Sequence, residues 1–534
     1  MTRERIDATA ADRVSWWRRA WPRLFVGAPL AVVALGAPLL LRAVISPYDG
    51  GLFLTMSRFL DWDRLLYRDL WTLYGPGPPL LGSLVMRLFG PGIGPQQVVL
   101  VLAHASMVIG VYLVARRHLR PWAAAALASF VAAIAPTGPF LQTLALLVWG
   151  LWFTLRASEG TDARPRRLLV ASLLLGASFW GRFEFVPISL GLVVWLWYAA
   201  RGEVDEPARR RALWLGLAPP VLFLGYIVAV VGLSRAWLNL VEYPVLRYPD
   251  HACRGLPDAW LPALQALAAP IRGELWTTRE LMLWSATILA PALAILAVAT
   301  AARRRAQPLA RFVTGAIGVV SLVIWLEHRT RSSENPQAVI PLLVLSAAVV
   351  LGRRWTRGKG ATAGWAAVAV VIALVLATSW VPPALRRWSG WPPYDARLGW
   401  EGGRMQGFYD PVVWSEIASM VRSRTAEDEE IFVALTDNSS RHHANAPIFY
   451  WWTDRPPASR FIEFDPCLTD TDPVQREIVR DIAQVDLVVG TTFFPDTRTP
   501  GSTILEGYLR SHFEQVYRGE LPQGEAVVVL ERRQ

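Results

Sequence analysis

The sequence predicts a polytopic α-helical membrane protein of about eleven transmembrane helices with a C-terminal extracytoplasmic α/β domain. Three observations predict it. Apolar residues make up 53% of the 534 and charged residues 18%; the apolar sequence exceeds the need of one soluble core and is bunched in blocks. Arginines gather at alternate turns between those blocks, as they do in cytoplasmic loops. Beyond Val381 the composition changes to short strand and helix patterns. The formal charge of +11 does not point to nucleic acid, because these clusters are separated by hydrophobic blocks and form no continuous basic face.

Residues 1–23 form a basic, cytoplasmic N-terminus. The first hydrophobic run, 24–45, has no small-residue cleavage pattern and is expected to stay as a span. Further blocks fall near 96–115, 122–136, 139–156, 168–182, 186–200, 213–233, 281–302, 309–326, 338–352 and 362–381, several of them short for a crossing. Arg116, Arg117 and Arg120; Arg164, Arg166 and Arg167; Arg209 to Arg211; Arg303 to Arg305; and Arg353, Arg354, Arg357 and Lys359 all fall on the side of the N-terminus. An error in the middle of the count would swap every later loop. The domains are thus 1–23, a transmembrane region 24–381 and an extracytoplasmic domain 382–534.

The long polar segments fall on the opposite side, which points to work done outside the cytoplasm. Chief among them is the insert 46–94, where Leu52, Phe53, Met56, Phe59, Leu60, Leu65 and Leu66 recur at helical spacing with acids and arginines between them. Short helices lying on a membrane surface have this pattern. In the last domain, 429–435, 485–492 and 525–532 have strand patterns, and 474–484 and 502–516 have helical ones. No glycine-rich phosphate loop of the usual patterns is present. Cys253 and Cys467 are too few for a disulfide framework or a cysteine metal site, and their pairing is open.

Asp49, in PYDGG directly after the first span, is either a general base or cation ligand, or a turn and cap aspartate. Asp69, in YRD, is either a second active-site acid or the partner that holds Arg68 and the loop in place. Asp61 and Asp63 lie two apart and are expected to be solvated charges. Arg182 and Glu184 end a hydrophobic run, where an arginine suits a lipid phosphate or pairs with the glutamate. His328, Arg329 and Arg331 form a second phosphate candidate. Glu242, Tyr243, Arg247, Tyr248, Asp250 and His251 are expected to form an ordinary surface, and His442 and His443 lack a spaced third metal ligand.

The residues Asp49, Tyr67, Arg68, Asp69, Pro78, Pro79, Leu88, Phe89 and Gly90 carry a resemblance. Their order resembles the first external loop of GT-C type membrane glycosyltransferases, which include the protein O-mannosyltransferases and lipid A aminoarabinose transferases. LLLGASFWGRFEFVPISL at 173–190 and HRTRSSENPQAVIPLL at 328–343 are similar to later parts of that family. The resemblance implies transfer of a sugar from a polyprenyl-phosphate donor to a glycan, lipid or protein acceptor on the external face, inverting its configuration. Asp49 matches the family's catalytic acid; Arg182, Arg329, Arg331 and His328 would meet the donor phosphate, with Tyr67, Arg68 and Glu184 in support.

Two departures stand out. Gly50 occupies the place of a frequent second acid, and Tyr74 to Pro78 occupy that of a Lys-Pro-Pro. A divalent cation, magnesium or manganese, is left open. Lys359 is the only lysine, and this arginine bias suits a bacterial plasma-membrane protein from a GC-rich genome. The competing readings are a lipid-linked sugar carrier or flippase, and an inactive envelope-assembly scaffold.

Overall fold

A computed structural model describes residues 25–41, 49–61, 63–72, 74–134, 140–159, 163–181, 185–247, 290–302, 308–331, 340–354, 411–435, 440–464, 468–491, 493–500, 502–520 and 526–534. Helices occupy most of the apolar blocks. They are α1 (Gly27–Leu41), α4 (Ile93–Arg116), α5 (Pro121–Ile134), α6 (Phe140–Ala157), α7 (Arg164–Ala177), α8 (Phe185–Ala199), α9 (Glu206–Val231), α11 (Ala290–Ala302), α12 (Pro308–Arg331) and α13 (Ile340–Arg354). The block 362–381, the linker that follows it and both cysteines lie outside the described residues. Among the described residues, α4 and α9 are long and apolar enough to cross a membrane.

Small residues let these helices close up. A Cβ added at Gly176 of α7 would overlap the carbonyl of Gly216 in α9, so the two backbones touch. Among the described residues, the arginines of two clusters come together. Arg117 and Arg167 both pair with Glu159, and Arg164 donates to the carbonyl of Glu203 at 2.7 Å. The turns after α4, α6 and α8 therefore lie side by side.

The insert holds two short helices, α2 (Asp49–Phe59) and α3 (Gly77–Phe89). The expectation of helices lying on a membrane surface is corrected for α2, whose Leu52, Leu54 and Met56 are buried within the protein. Helix α3 is two-faced. Pro78, Pro79, Gly82, Val85 and Met86 are buried, whereas Leu80, Leu84, Leu88 and Phe89 form an exposed apolar stripe, Phe89 reaching 71% exposure. After α9 come a short helix α10 (Leu233–Trp237) and a wide helical turn, Leu238–Arg247.

The C-terminal part is α/β. Its elements are α14 (Pro411–Arg424), β1 (Phe432–Leu435), β2 (Ser440–Ala444), α15 (Ile448–Thr453), α16 (Asp472–Asp481), β3 (Leu487–Thr491), β4 (Phe493–Pro500), α17 (Ile504–His512), β5 (Phe513–Glu520) and β6 (Ala526–Arg532). One sheet has the order β1-β3-β6-β5, with β1 and β3 parallel and the other pairs antiparallel; β2 and β4 form a separate antiparallel pair. The helix expected over 502–516 stops at His512. Phe513 onward is strand, because its backbone pairs with β6 from Phe513 opposite Arg532 to Glu520 opposite Ala526.

Candidate functional site

The YRD sequence makes a tight turn. Tyr67 has a left-handed φ of 71°, costly for a bulky side chain, and is fully buried. Its backbone N–H donates to the carbonyl of Leu70 at 2.8 Å, and its hydroxyl donates to the carbonyl of Tyr74 at 2.9 Å. Burial pushes the Tyr67 phenol well above its ordinary pKa, so it remains a donor. Asp69 staples the turn: its Oδ2 accepts from the backbone of Leu65 at 2.7 Å, and Arg68 Nε lies 2.7 Å from the same oxygen. Arg68 also donates to the carbonyl of Asp63 at 2.8 Å. The hydrogen bond to Asp69 raises the pKa of the Arg68 guanidinium.

Asp61 behaves as a turn residue. Its Oδ1 accepts from the backbone of Asp63 at 3.0 Å and of Arg64 at 2.7 Å. Among the described residues no group of three or more His, Cys, Asp or Glu stands together to hold a metal ion.

From the turn the chain runs to Gly75, whose N–H donates to the carbonyl of Gly181 at 3.1 Å. A Cβ at Gly75 would overlap the carbonyl of Trp180, and one at Gly77 would come within 3.0 Å of it. The backbone lies directly on the turn Ser178–Gly181, leaving no room for a side chain at Gly75. Arg182 follows that turn immediately. Arg182 and Glu184 lie outside the described residues; His328, Arg329 and Arg331 fall in the last turn of α12, where only the backbone is described.

Asp49 is the first residue of α2, and its side chain is likewise outside the description. Tyr248, Asp250 and His251 are outside it as well, whereas Glu242, Tyr243 and Arg247 lie in the wide turn after α10 and His442 and His443 on β2, opposite β4.

Sequence reasoning missed how strongly the insert is bound to the C-terminal part. Arg64 donates to the Glu430 carboxylate at 2.6 Å and to the Pro457 carbonyl at 2.9 Å. The backbone of Trp71 donates to the Arg460 carbonyl at 2.8 Å, and its indole donates to Asn239 Oδ1 at 3.0 Å. Thr55 and Arg58 reach Pro447 and Asp454. The one signal for the contacts of Thr55 and Arg58 was that they interrupt the apolar pattern of α2.

The whole chain resembles solved structures. It matches ArnT from Cupriavidus metallidurans bound to undecaprenyl phosphate with a TM-score of 0.53 at 15% identity, over 96% of this chain and 98% of that one. It matches the apo oligosaccharyltransferase of Archaeoglobus fulgidus with a TM-score of 0.51 at 12% identity, over 95% of this chain and 81% of that one. The chain has the fold of these transferases. The polytopic fold expected from the first external loop is therefore, at the level of overall fold, the one that ArnT and the Archaeoglobus oligosaccharyltransferase share with this chain. A second structure of the Archaeoglobus protein, in complex with Zn and sulfate, matches with a TM-score of 0.50 at 13% identity, over 93% of this chain and 79% of that one. No family model matches the chain, and no curated protein matches it in sequence.

Proposed function

We propose that the protein is an integral membrane glycosyltransferase that transfers a sugar from a polyprenyl-phosphate donor to an envelope acceptor on the extracytoplasmic face. The observation that carries this reading is the fold match over nearly the full length of both chains to a protein bound to undecaprenyl phosphate. In the proposed topology eleven spans occupy 24–381, the basic turns face the cytoplasm of a bacterium, and 382–534 lies outside.

In the reaction, Asp49 takes the proton of the acceptor hydroxyl as its oxygen attacks the anomeric carbon. The bond from that carbon to the phosphate oxygen breaks with inversion, and the lipid phosphate departs. Arg182, Arg329, Arg331 and His328 stabilise the charge that grows on the phosphate, where fixed cations are most effective. The contact of Gly75 with Gly181 supports this assembly, because it brings the insert beside the chain leading into Arg182. Asp69 serves as the loop staple.

The test is sugar transfer from a panel of radiolabelled polyprenyl-phosphate sugars by wild type and Asp49→Asn. Transfer that is lost in the variant supports the reading and names the donor. Equal transfer by both removes Asp49 from the mechanism. No transfer to crude envelope acceptors favours a carrier or scaffold.

A further inference from the structure

We infer that α15 of the C-terminal part is the seat that positions Asp49, making Gly51, Thr55, Arg58 and Asp454 positioning residues for the proposed base. The inference rests on that base reading. Residues 51, 55 and 58 are spaced four and three apart and so share one face of α2. All three meet α15. A Cβ on Gly51 would stand 2.6 Å from the backbone nitrogen of Ile448 and 2.8 Å from its Cα, closer than atoms approach, so the two helices meet backbone to backbone. Thr55 Oγ1, buried, donates to the carbonyl of Pro447 at 2.7 Å. Arg58 forms a two-pronged pair with Asp454, Nε to Oδ1 at 2.7 Å and Nη2 to Oδ2 at 3.0 Å.

The seat is itself held firmly. The Tyr450 hydroxyl accepts the backbone N–H of Val433 in β1 at 2.8 Å. Phe449 stacks on Trp414 of α14 with ring centroids 4.5 Å apart. The indole of Trp451 donates to the Pro91 carbonyl at 3.0 Å, tying α15 to the turn between α3 and α4. Just before α15, the Asn445 amide donates to the carbonyls of Val433 and Ile462 at 2.9 and 3.1 Å. Asp49 lies two residues before Gly51, about 3 Å along the helix axis at 1.5 Å per residue. Any displacement of α2 on α15 is passed directly to the residue at position 49. A displacement of about 1 Å can cost about a hundredfold in rate.

The experiment compares the kinetics of wild type, Gly51→Ala, Arg58→Glu, Asp454→Arg and the double variant Arg58→Glu/Asp454→Arg, with Asp49→Asn as reference. Each single variant is expected to lower kcat about tenfold or more while donor KM stays within about twofold. The double variant, which restores the ion pair with exchanged signs, is expected to recover most of the lost kcat. Singles that keep wild-type kcat overturn the inference, as does a swap that recovers nothing. If Asp49→Asn turns over at the wild-type rate, the base reading itself fails; if it is inactive while the α2 and α15 variants are not, this inference alone fails. Hydrogen exchange over residues 49–59 needs no substrate: it should rise in Asp454→Arg and fall back in the double variant. Exchange unchanged in Asp454→Arg overturns the inference as well.

Discussion

Gly75 and Gly181 are joined by a 3.1 Å backbone hydrogen bond although more than a hundred residues separate them. That bond clamps the insert to the turn that leads into Arg182, and the clamp tolerates no side chain at Gly75. Replacing Gly75 by alanine is expected to lift the loop off Trp180 and raise donor KM at least about tenfold, equivalent to about 1.4 kcal/mol. Initial rates over a range of donor concentrations check this; an unchanged KM would separate the loop from the donor site.

Asp49 and Asp69 should separate in the same assay. Asp49→Asn is expected to lower kcat by about 100-fold or more, the usual effect of removing a general base. Asp69→Ala should instead lower stability by about 1 kcal/mol, because the backbone of Leu65 loses its acceptor, and change kcat only a few-fold. Denaturation midpoints measured beside turnover distinguish the two outcomes.

Burial raises the pKa of the Asp481 carboxyl, against the hydrogen bond it accepts from Ser459 at 2.8 Å and the charges of Arg460 and Arg480; Glu477 adds to the rise. A carboxyl whose folded pKa lies above its unfolded value contributes stability below the unfolded pKa and loses it as pH rises through the folded one. Asp481→Asn, which mimics the protonated group, is therefore expected to raise the unfolding midpoint at pH 7.5. The advantage should vanish at about pH 3.5. A difference that persists at the lower pH would assign the effect to packing.

At the crossing of α7 and α9, Gly176→Leu should force the backbones apart and lower the thermal midpoint, with overpacking costing about 1–3 kcal/mol. A fluorescence melt in detergent reports it directly.

The helices were legible because long apolar blocks favour the one backbone form that satisfies its own hydrogen bonds without a neighbouring strand. Strand β5 was not legible, for a local reason: Leu505, Leu509 and Phe513 are spaced four apart, so the helical pattern of α17 runs on into the strand. Only pairing with β6, set by residues further along the chain, breaks it. At the site, the role of Asp69 in holding Arg68 and the loop was one of two readings open in the sequence, whereas Asp61, expected as a solvated charge, accepts the backbone N–H groups of its own turn. The purpose of Gly51 and Gly75 could not, because what forbids a side chain there is Ile448 in one case and Trp180 in the other.

The exposed stripe of Leu80, Leu84, Leu88 and Phe89 on α3 has a consequence for the acceptor. In the proposed enzyme these side chains rest in the outer leaflet, and α3 packs against α2, which begins with Asp49. The stripe then works as a depth gauge. It holds the reacting centre at the boundary of hydrocarbon and water, at the height where a polyprenyl phosphate presents its sugar without leaving the bilayer. An acceptor must bring its hydroxyl down to that level, so reach above the membrane becomes a criterion of selection alongside chemical identity.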